Sequence, residues 1–389
     1  MSRVAVDKEV LRWAMRRSGL ELDDLEQRFP RIRQWATGGQ WATGESQPTL
    51  RQLESLAKAT LTPLGFFFLA EPPEQRLPIP HFRTVRDEMA SKPSPDLLET
   101  IQIMQRRQAW MREFLIEQGQ DRLLAVKSAR PDETAASLAN RIRRALGFDA
   151  GWATGQRTWT EALRFLREAI EHAGVLVVVN SVVGNNTHRK LDPAEFRGFV
   201  LVDEYAPLVF VNGADFKAAQ MFTLAHELAH VFFGSSAAFD LREMQPADDP
   251  VEHASNRVAA EFLVPQHELR RIWPSVHTQP ERFQEIARRF KVSEIVAARR
   301  ALDLDLINKK AFLEFYRFYQ SNERRAAASR PEGGDFYATQ NLRVGQRFAS
   351  TVIRAVKEAK LLYSEAYRLT GLYGRTFERY AASLGFGGA

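Results

Sequence analysis

The sequence of 389 residues contains no cysteine, which excludes disulfide bonds and metal sites built on thiolates. It also lacks a long apolar run, because its most apolar stretch, residues 64–70, is far shorter than the roughly 20 residues of a membrane-spanning helix. The first ten residues do not form a secretory signal peptide. We therefore expect a cytoplasmic protein with no membrane partner, in which any metal has nitrogen and oxygen ligands.

The chain carries no net charge at its start and a net positive charge at its end. Residues 1–75 hold 10 basic and 10 acidic side chains, whereas residues 276–389 hold 20 and 12. A basic excess is typical of a surface that binds nucleic acid, and an acidic protein partner would fit it equally well. The composition therefore favours the end of the chain, and not its start, for contact with a polyanion.

The stretch FTLAHELAHVFFG, residues 222–234, places two histidines four residues apart in an otherwise apolar run. Residues four apart lie one turn above each other on a helix, so His226 and His230 can point at one spot. Two imidazoles are good zinc ligands, and Glu227 beside them can accept a proton from water as a general base. Because so short a pattern also arises by chance, the interpretation requires a third ligand.

The candidates for that ligand lie in DDPVEHASNRVAAEFLVP, which predicts a helix over about residues 250–263. Glu252 and Asn256 are four apart and share a face. We choose Glu252 as the ligand and Asn256 as the group that hydrogen-bonds the second ring nitrogen of a ligand histidine. Glu261 and His253 are the alternatives: the first reads as an ordinary helix carboxylate, the second as a surface histidine.

The remaining sequence divides into regions of different character. The sequence pattern of residues 1–70 predicts short helices of the helix-turn-helix kind. The six prolines of residues 71–95 predict a linker. Residues 96–275 combine lead-in helices, β-branched runs and the two motif helices, which predicts an α+β, zincin-like domain with a small sheet. Residues 276–389 predict a helical, basic C-terminal region.

Two helix-turn-helix-like segments supply the candidate nucleic-acid contacts. The first lies near a loop in which WATG occurs twice, and the second is FQEIARRFKVSEIVAARRALDL. Small helical hairpins that bind no nucleic acid use the same residue types, so a purely structural role is equally compatible with the pattern. The candidate contacts are Arg28, Arg31 and Arg33 in the first segment and Arg288, Arg289 and Lys291 in the second.

Longer stretches of the chain resemble a known family. FRGFVLVDEYAPLVFVNGADFKAAQMFTLAHELAHVFFG and EHASNRVAAEFLVP are similar to the ImmA/IrrE-type zinc metallopeptidases. PTLRQLESLAKATLTPLGFFFLAEPP resembles the XRE-type helix-turn-helix module that is joined to such peptidases. The resemblance implies a zinc-dependent endopeptidase that cleaves a repressor-like regulator or a toxin–antitoxin partner in a mobile element or a stress response. The residues that it carries over are His226, Glu227, His230 and Glu252.

The alternative function is a DNA-binding transcriptional regulator or antitoxin, in which the zinc site is structural or rarely used and duplex DNA is the partner. The two functions differ in their need for Glu227, since proteolysis requires a general base and a binding module does not. The duplicated WATG loop departs from the family pattern beside the N-terminal module, where it bears on DNA binding. The sequence specifies no oligomeric state.

Overall fold

The computed structural model describes residues 3–18, 20, 25–27, 29–32, 35, 47–73, 93–130, 132–235, 237–239, 249–326 and 339–387. Arg28, Arg33, the second WATG copy and most of the proline-rich linker lie outside these residues. The described chain forms two compact units, of which the first ends at Ile101 and the second begins at Gln102.

The first unit is helical and has its own apolar core. Helix α1 is Lys8–Ser18, helix α2 is Leu50–Ala59, and a 3-10 helix covers Leu64–Phe68. The Thr49 hydroxyl accepts the Gln52 N–H while the Gln52 side chain accepts the Thr49 N–H, a capping box that begins α2. The core consists mainly of Val10, Leu11, Ala14, Met15, Leu25, Leu53 and Leu56. Leu50, the first residue of α2, is 46% exposed, whereas Leu53 and Leu56 are completely buried.

The second unit contains a four-stranded sheet formed by β1 (Leu176–Asn180), β4 (Gly198–Leu201), β5 (Leu208–Asn212) and β6 (Ala237–Phe239). The order of the strands in the sheet is β1-β5-β4-β6. Strand β1 runs parallel to β5, and β4 runs antiparallel to both β5 and β6. Every residue of β1 and β5 is buried, as expected for strands that are covered on both faces. Two further strands, β2 Val182–Val183 and β3 Asn186–Lys190, form a separate hairpin.

Helices surround this sheet, which confirms the predicted α+β class. They begin with α3 Pro95–Glu117, which belongs to this unit from Gln102 onward, followed by α4 Ala135–Leu146 and α5 Trp159–His172. The two motif helices are α6 Lys217–Phe233 and α7 Pro250–Leu263. The later helices are α8 Gln266–Val276, α9 Arg282–Phe290, α10 Glu294–Asp303, α11 Lys309–Ala326, α12 Gln346–Lys357, α13 Tyr363–Thr370 and α14 Gly374–Ala381. Within the described parts of the chain, no helix is both long and apolar enough to cross a bilayer.

The central helix of the second unit is α6, which packs against α7 on one side and against β4 and β5 on the other. Helices beyond residue 275 contribute to the same core, since Phe283, Ile286 and Phe290 of α9 are buried in one cluster with Leu228 of α6. The segment that follows the motif helices is therefore part of the body that supports them.

The C-terminal residues 339–387 pack along the outer edge of the sheet. A π-helical turn, Asn341–Gly345, lies against β1, and a Cβ on Gly345 would stand 2.8 Å from the Val177 carbonyl oxygen. The positive φ of +85° at this position also favours glycine. Buried Arg107 of α3 donates to the carbonyl oxygens of Arg343 and Leu369, both at 2.9 Å, which fastens the segment to the second unit.

Candidate metal centre

Two helix termini fix the positions of the motif residues. Helix α6 ends at Gly234, which has a left-handed backbone with φ of +79° and donates its N–H to the His230 carbonyl. Helix α7 begins with Asp249, whose side chain accepts the N–H groups of Val251 and Glu252, followed by Pro250 in the first turn. The predicted bounds of this second helix are confirmed.

The structure brings three of the predicted ligands together at the contact between α6 and α7. Donor atoms of His226, His230 and Glu252 all lie within 4.8 Å of one another, and all three side chains are buried. Nε2 of His226 is 3.2 Å from one oxygen of Glu252, and Nε2 of His230 is 3.0 Å from the other. The two Nε2 atoms are 3.0 Å apart. Both rings and the carboxylate therefore point at one centre.

The protonation of these groups suits a metal ion. Oδ1 of Asn256 lies 3.1 Å from Nδ1 of His226 and, as an acceptor, requires the hydrogen on Nδ1, so Nε2 presents its lone pair to the centre. Burial lowers the pKa of His226 and favours the neutral ring. Burial alone would raise the pKa of Glu252, but the neighbouring rings of His226 and His230 lower it below its usual range. Two imidazoles and an ionised carboxylate form a donor set that zinc accepts.

Glu227 lies beside this centre with an unusual environment. Its side chain is completely buried, and neither carboxylate oxygen has a hydrogen-bond partner among the described residues. Burial and the negative charge of Glu252 raise the pKa of Glu227 well above its usual value. A carboxyl group with a raised pKa is well suited to accept a proton and to return it.

Neither alternative ligand belongs to the cluster. Glu261 is buried, but it forms an ion pair with Arg300 of α10 and accepts the N–H of Gln266. Its role in this structure is to join α7 to α10. His253 is half-buried on α7, outside the set of three converging ligands.

The predicted nucleic-acid contacts occupy different environments. Arg31 and Arg288 are exposed, and Arg289 is half-buried. Lys291 is 6% exposed, has a φ of +56°, and donates through Nζ to the Arg288 carbonyl at 2.5 Å. Lys291 therefore covers the C-terminal end of α9 instead of extending into solvent.

Two residues that border Glu227, Gly198 and Thr223, were not predicted as part of the site. Gly198 in β4 faces α6, and a Cβ there would lie 3.4 Å from Oε1 of Glu227 and 2.5 Å from Cγ2 of Thr223. A glycine inside a β-branched run signals a close approach of another backbone or side chain, so Gly198 could have been found. Thr223 gave no such signal, because threonine in a helix is common.

Comparison with known families places the cluster inside a recognised domain. Residues 170–302 match the family Peptidase_M78, described as the IrrE N-terminal-like domain, and this match contains both motif helices. Residues 344–383 match a domain of unknown function, DUF8813. No curated protein matches the chain. The match over residues 170–302 supports the resemblance to ImmA/IrrE-type metallopeptidases for the part of the chain that carries the metal centre.

Proposed function

We propose that this protein is a zinc-dependent endopeptidase that cleaves a regulatory protein. The observation that carries the proposal is the convergence of His226, His230 and Glu252 on one centre beside the unpartnered carboxyl group of Glu227. A zinc site with a purely structural role does not require a buried acid without hydrogen-bond partners beside its ligands. Burying such an acid lowers the stability of the folded protein.

His226, His230 and Glu252 would hold the ion, and Asn256 fixes the orientation of the first ring. Zinc at this position would polarise the scissile carbonyl and make a neighbouring water molecule more acidic. Glu227 takes the proton from that water and passes it to the leaving amine. The raised pKa of Glu227 favours the second of these transfers, because the carboxyl group then holds the accepted proton more readily.

The resemblance to ImmA/IrrE-type peptidases supports a regulatory protein as the substrate, either a repressor-like regulator or a toxin–antitoxin partner. Proteolysis of such a protein would connect the enzyme to gene expression or a stress response. In the alternative, a DNA-binding regulator or antitoxin, the protein would act without cleaving its partner.

The decisive experiment replaces the general base and keeps the ligands. Glu227→Gln should bind zinc like the wild type and lose cleavage of the co-expressed partner by about 10²–10⁴-fold, since an amide cannot accept the proton. Glu168→Gln, on the exposed part of α5, is the matched control and should preserve both properties. Full activity in Glu227→Gln would refute the peptidase and favour the DNA-binding alternative.

A further inference from the structure

Several buried polar atoms without partners occur together on helix α6. Within the described part of the chain they are Oγ1 of Thr223, both carboxylate oxygens of Glu227 and Nδ1 of His230. Thr223 and Glu227 are four residues apart, so they lie one turn from each other on the same face. A buried hydroxyl and a buried carboxylate that both lack partners need a physical explanation.

Gly198 shows that these two side chains enter the same space. The position that a Cβ on Gly198 would occupy is 2.5 Å from Cγ2 of Thr223 and 3.4 Å from Oε1 of Glu227. The Phe210 carbonyl oxygen is 2.8 Å from the same point. The missing side chain of Gly198 therefore leaves a space, the chamber above Gly198, which the methyl group of Thr223 fills and the carboxylate of Glu227 borders.

A rotation of the threonine side chain would bring its hydroxyl into this chamber. A turn of about 120° around χ1 moves Oγ1 of threonine to the position of Cγ2 and Cγ2 to that of the Cβ hydrogen, and helical threonine populates two rotamers. In a helix, a threonine hydroxyl usually donates a hydrogen bond to the backbone carbonyl one turn earlier. Oγ1 of Thr223 has no such partner among the residues described. After the rotation, the hydroxyl would take the place of Cγ2, close to the carboxylate of Glu227.

We propose that Thr223 is a positioning residue for Glu227, to which it donates a hydrogen bond across the chamber above Gly198. The bond holds the carboxylate in one orientation beside the metal centre. Its catalytic consequence rests on the proposed peptidase function, whereas the bond itself does not. The opposing explanation is that Thr223 serves only as a β-branched spacer, with its methyl group packed against Gly198.

A double-mutant cycle on unfolding of the full-length, zinc-loaded protein tests the bond without an activity assay. Thr223→Val keeps the shape and removes the hydroxyl, and Glu227→Met keeps the length and removes the acceptor. We expect Thr223→Val to lower the melting temperature by about 2–4 °C in the wild-type background and by much less in Glu227→Met. Equal shifts in both backgrounds, or a stabilising effect of Thr223→Val, would overturn the proposal.

Thr223→Ser separates the hydroxyl from the methyl group. If the hydroxyl matters, serine should preserve the wild-type melting temperature better than valine does, and if the methyl matters, the order reverses. With casein as a general probe substrate, Thr223→Val should lower kcat by about tenfold at unchanged KM and unchanged zinc content, and Thr223→Ser should restore most of kcat. Loss of zinc or a rise in KM alone would count against positioning. A wild type that cleaves nothing would count against the peptidase function, while the unfolding cycle would still decide the hydrogen bond.

Discussion

Asn256 accepts a hydrogen bond from His226 at 3.1 Å, through the ring nitrogen that does not face Glu252. One helix, α7, thus supplies both a candidate ligand and the group that orients another ligand. The spacing of four residues between Glu252 and Asn256 lets both side chains reach α6 from the same face.

Replacing Asn256 should weaken metal binding without unfolding the protein. In Asn256→Leu the His226 ring loses its orienting acceptor, and we expect zinc affinity to fall by about 10–100-fold. Competition with a chromogenic chelator measures this change. Asn308→Ala, which removes a helix cap far along the sequence, is the control and should leave zinc affinity unchanged. Wild-type affinity in Asn256→Leu would show that another group orients the ring.

The two buried glutamates of α7 should respond in opposite ways to truncation. Glu252→Ala should lose most of its zinc, because two histidines alone form an incomplete site. Glu261→Ala should keep its zinc but unfold more easily, by about 3–5 kcal/mol, since it leaves Arg300 buried and unpaired. Elemental analysis and thermal unfolding of both variants test the assignment. Full zinc occupancy in Glu252→Ala would remove Glu252 from the ligand set.

Glu171 should make stability depend on pH. It is buried beside Arg167, Arg347 and Tyr380, accepts the Arg347 N–H at 3.1 Å, and burial nevertheless raises its pKa. An acid that protonates more readily when folded stabilises the native state at low pH. This contribution is lost as the pH rises from the ordinary glutamate value through the raised one.

The variant Glu171→Gln should therefore gain stability relative to wild type as the pH rises above the ordinary glutamate value. Thermal unfolding across this range measures the gain. Glu113→Gln changes an exposed carboxylate on α3 and should show no such trend. A difference between Glu171→Gln and wild type that stays constant with pH would mean that Glu171 remains ionised throughout.

Any affinity for duplex DNA should be modest, sensitive to salt, and dependent on the basic end of the chain. Deleting residues 276–389 would not test this dependence on the basic end, because the deletion also removes Phe283 and Ile286 of α9 from the core. Charge reversal of exposed Arg288 should instead weaken binding more than reversal of exposed Arg31, and should reduce the slope of log K against log salt by about 0.9. Fluorescence anisotropy of duplex DNA, measured across a salt series, compares the affinities of the two charge-reversed variants. Tight operator binding that Arg31→Glu alone abolishes would locate the contact at the start of the chain.

Local sequence patterns were sufficient for the elements that carry the site. The β-branched runs predicted the strands of a small sheet, and the structure confirms them at β4 and β5. The helix α7 was predicted over about residues 250–263, from Pro250 to just before the proline that follows Val264, and prolines are local start and stop signals. The spacing of His226 and His230 similarly needed only helix geometry.

Features that depend on contacts distant in sequence could not be predicted in this way. Arg107 bonds to a carbonyl 262 residues away, and no periodicity indicates that pairing. Lys291 was a candidate surface contact because of its charge, but the left-handed turn after α9 folds its side chain back. The short strand β6 contains three residues, which is below the length at which alternation can be recognised.

The C-terminal turn against β1 has a consequence for solubility. An uncovered outer strand displays unpaired backbone groups that can template pairing with other chains, and the sequence of β1, Leu-Val-Val-Val-Asn, is strongly β-forming. Residues Asn341–Gly345 lie along that strand and occupy the space that a foreign strand would take. A fragment limited to the family match over residues 170–302 would therefore be prone to self-association even with every candidate zinc ligand intact.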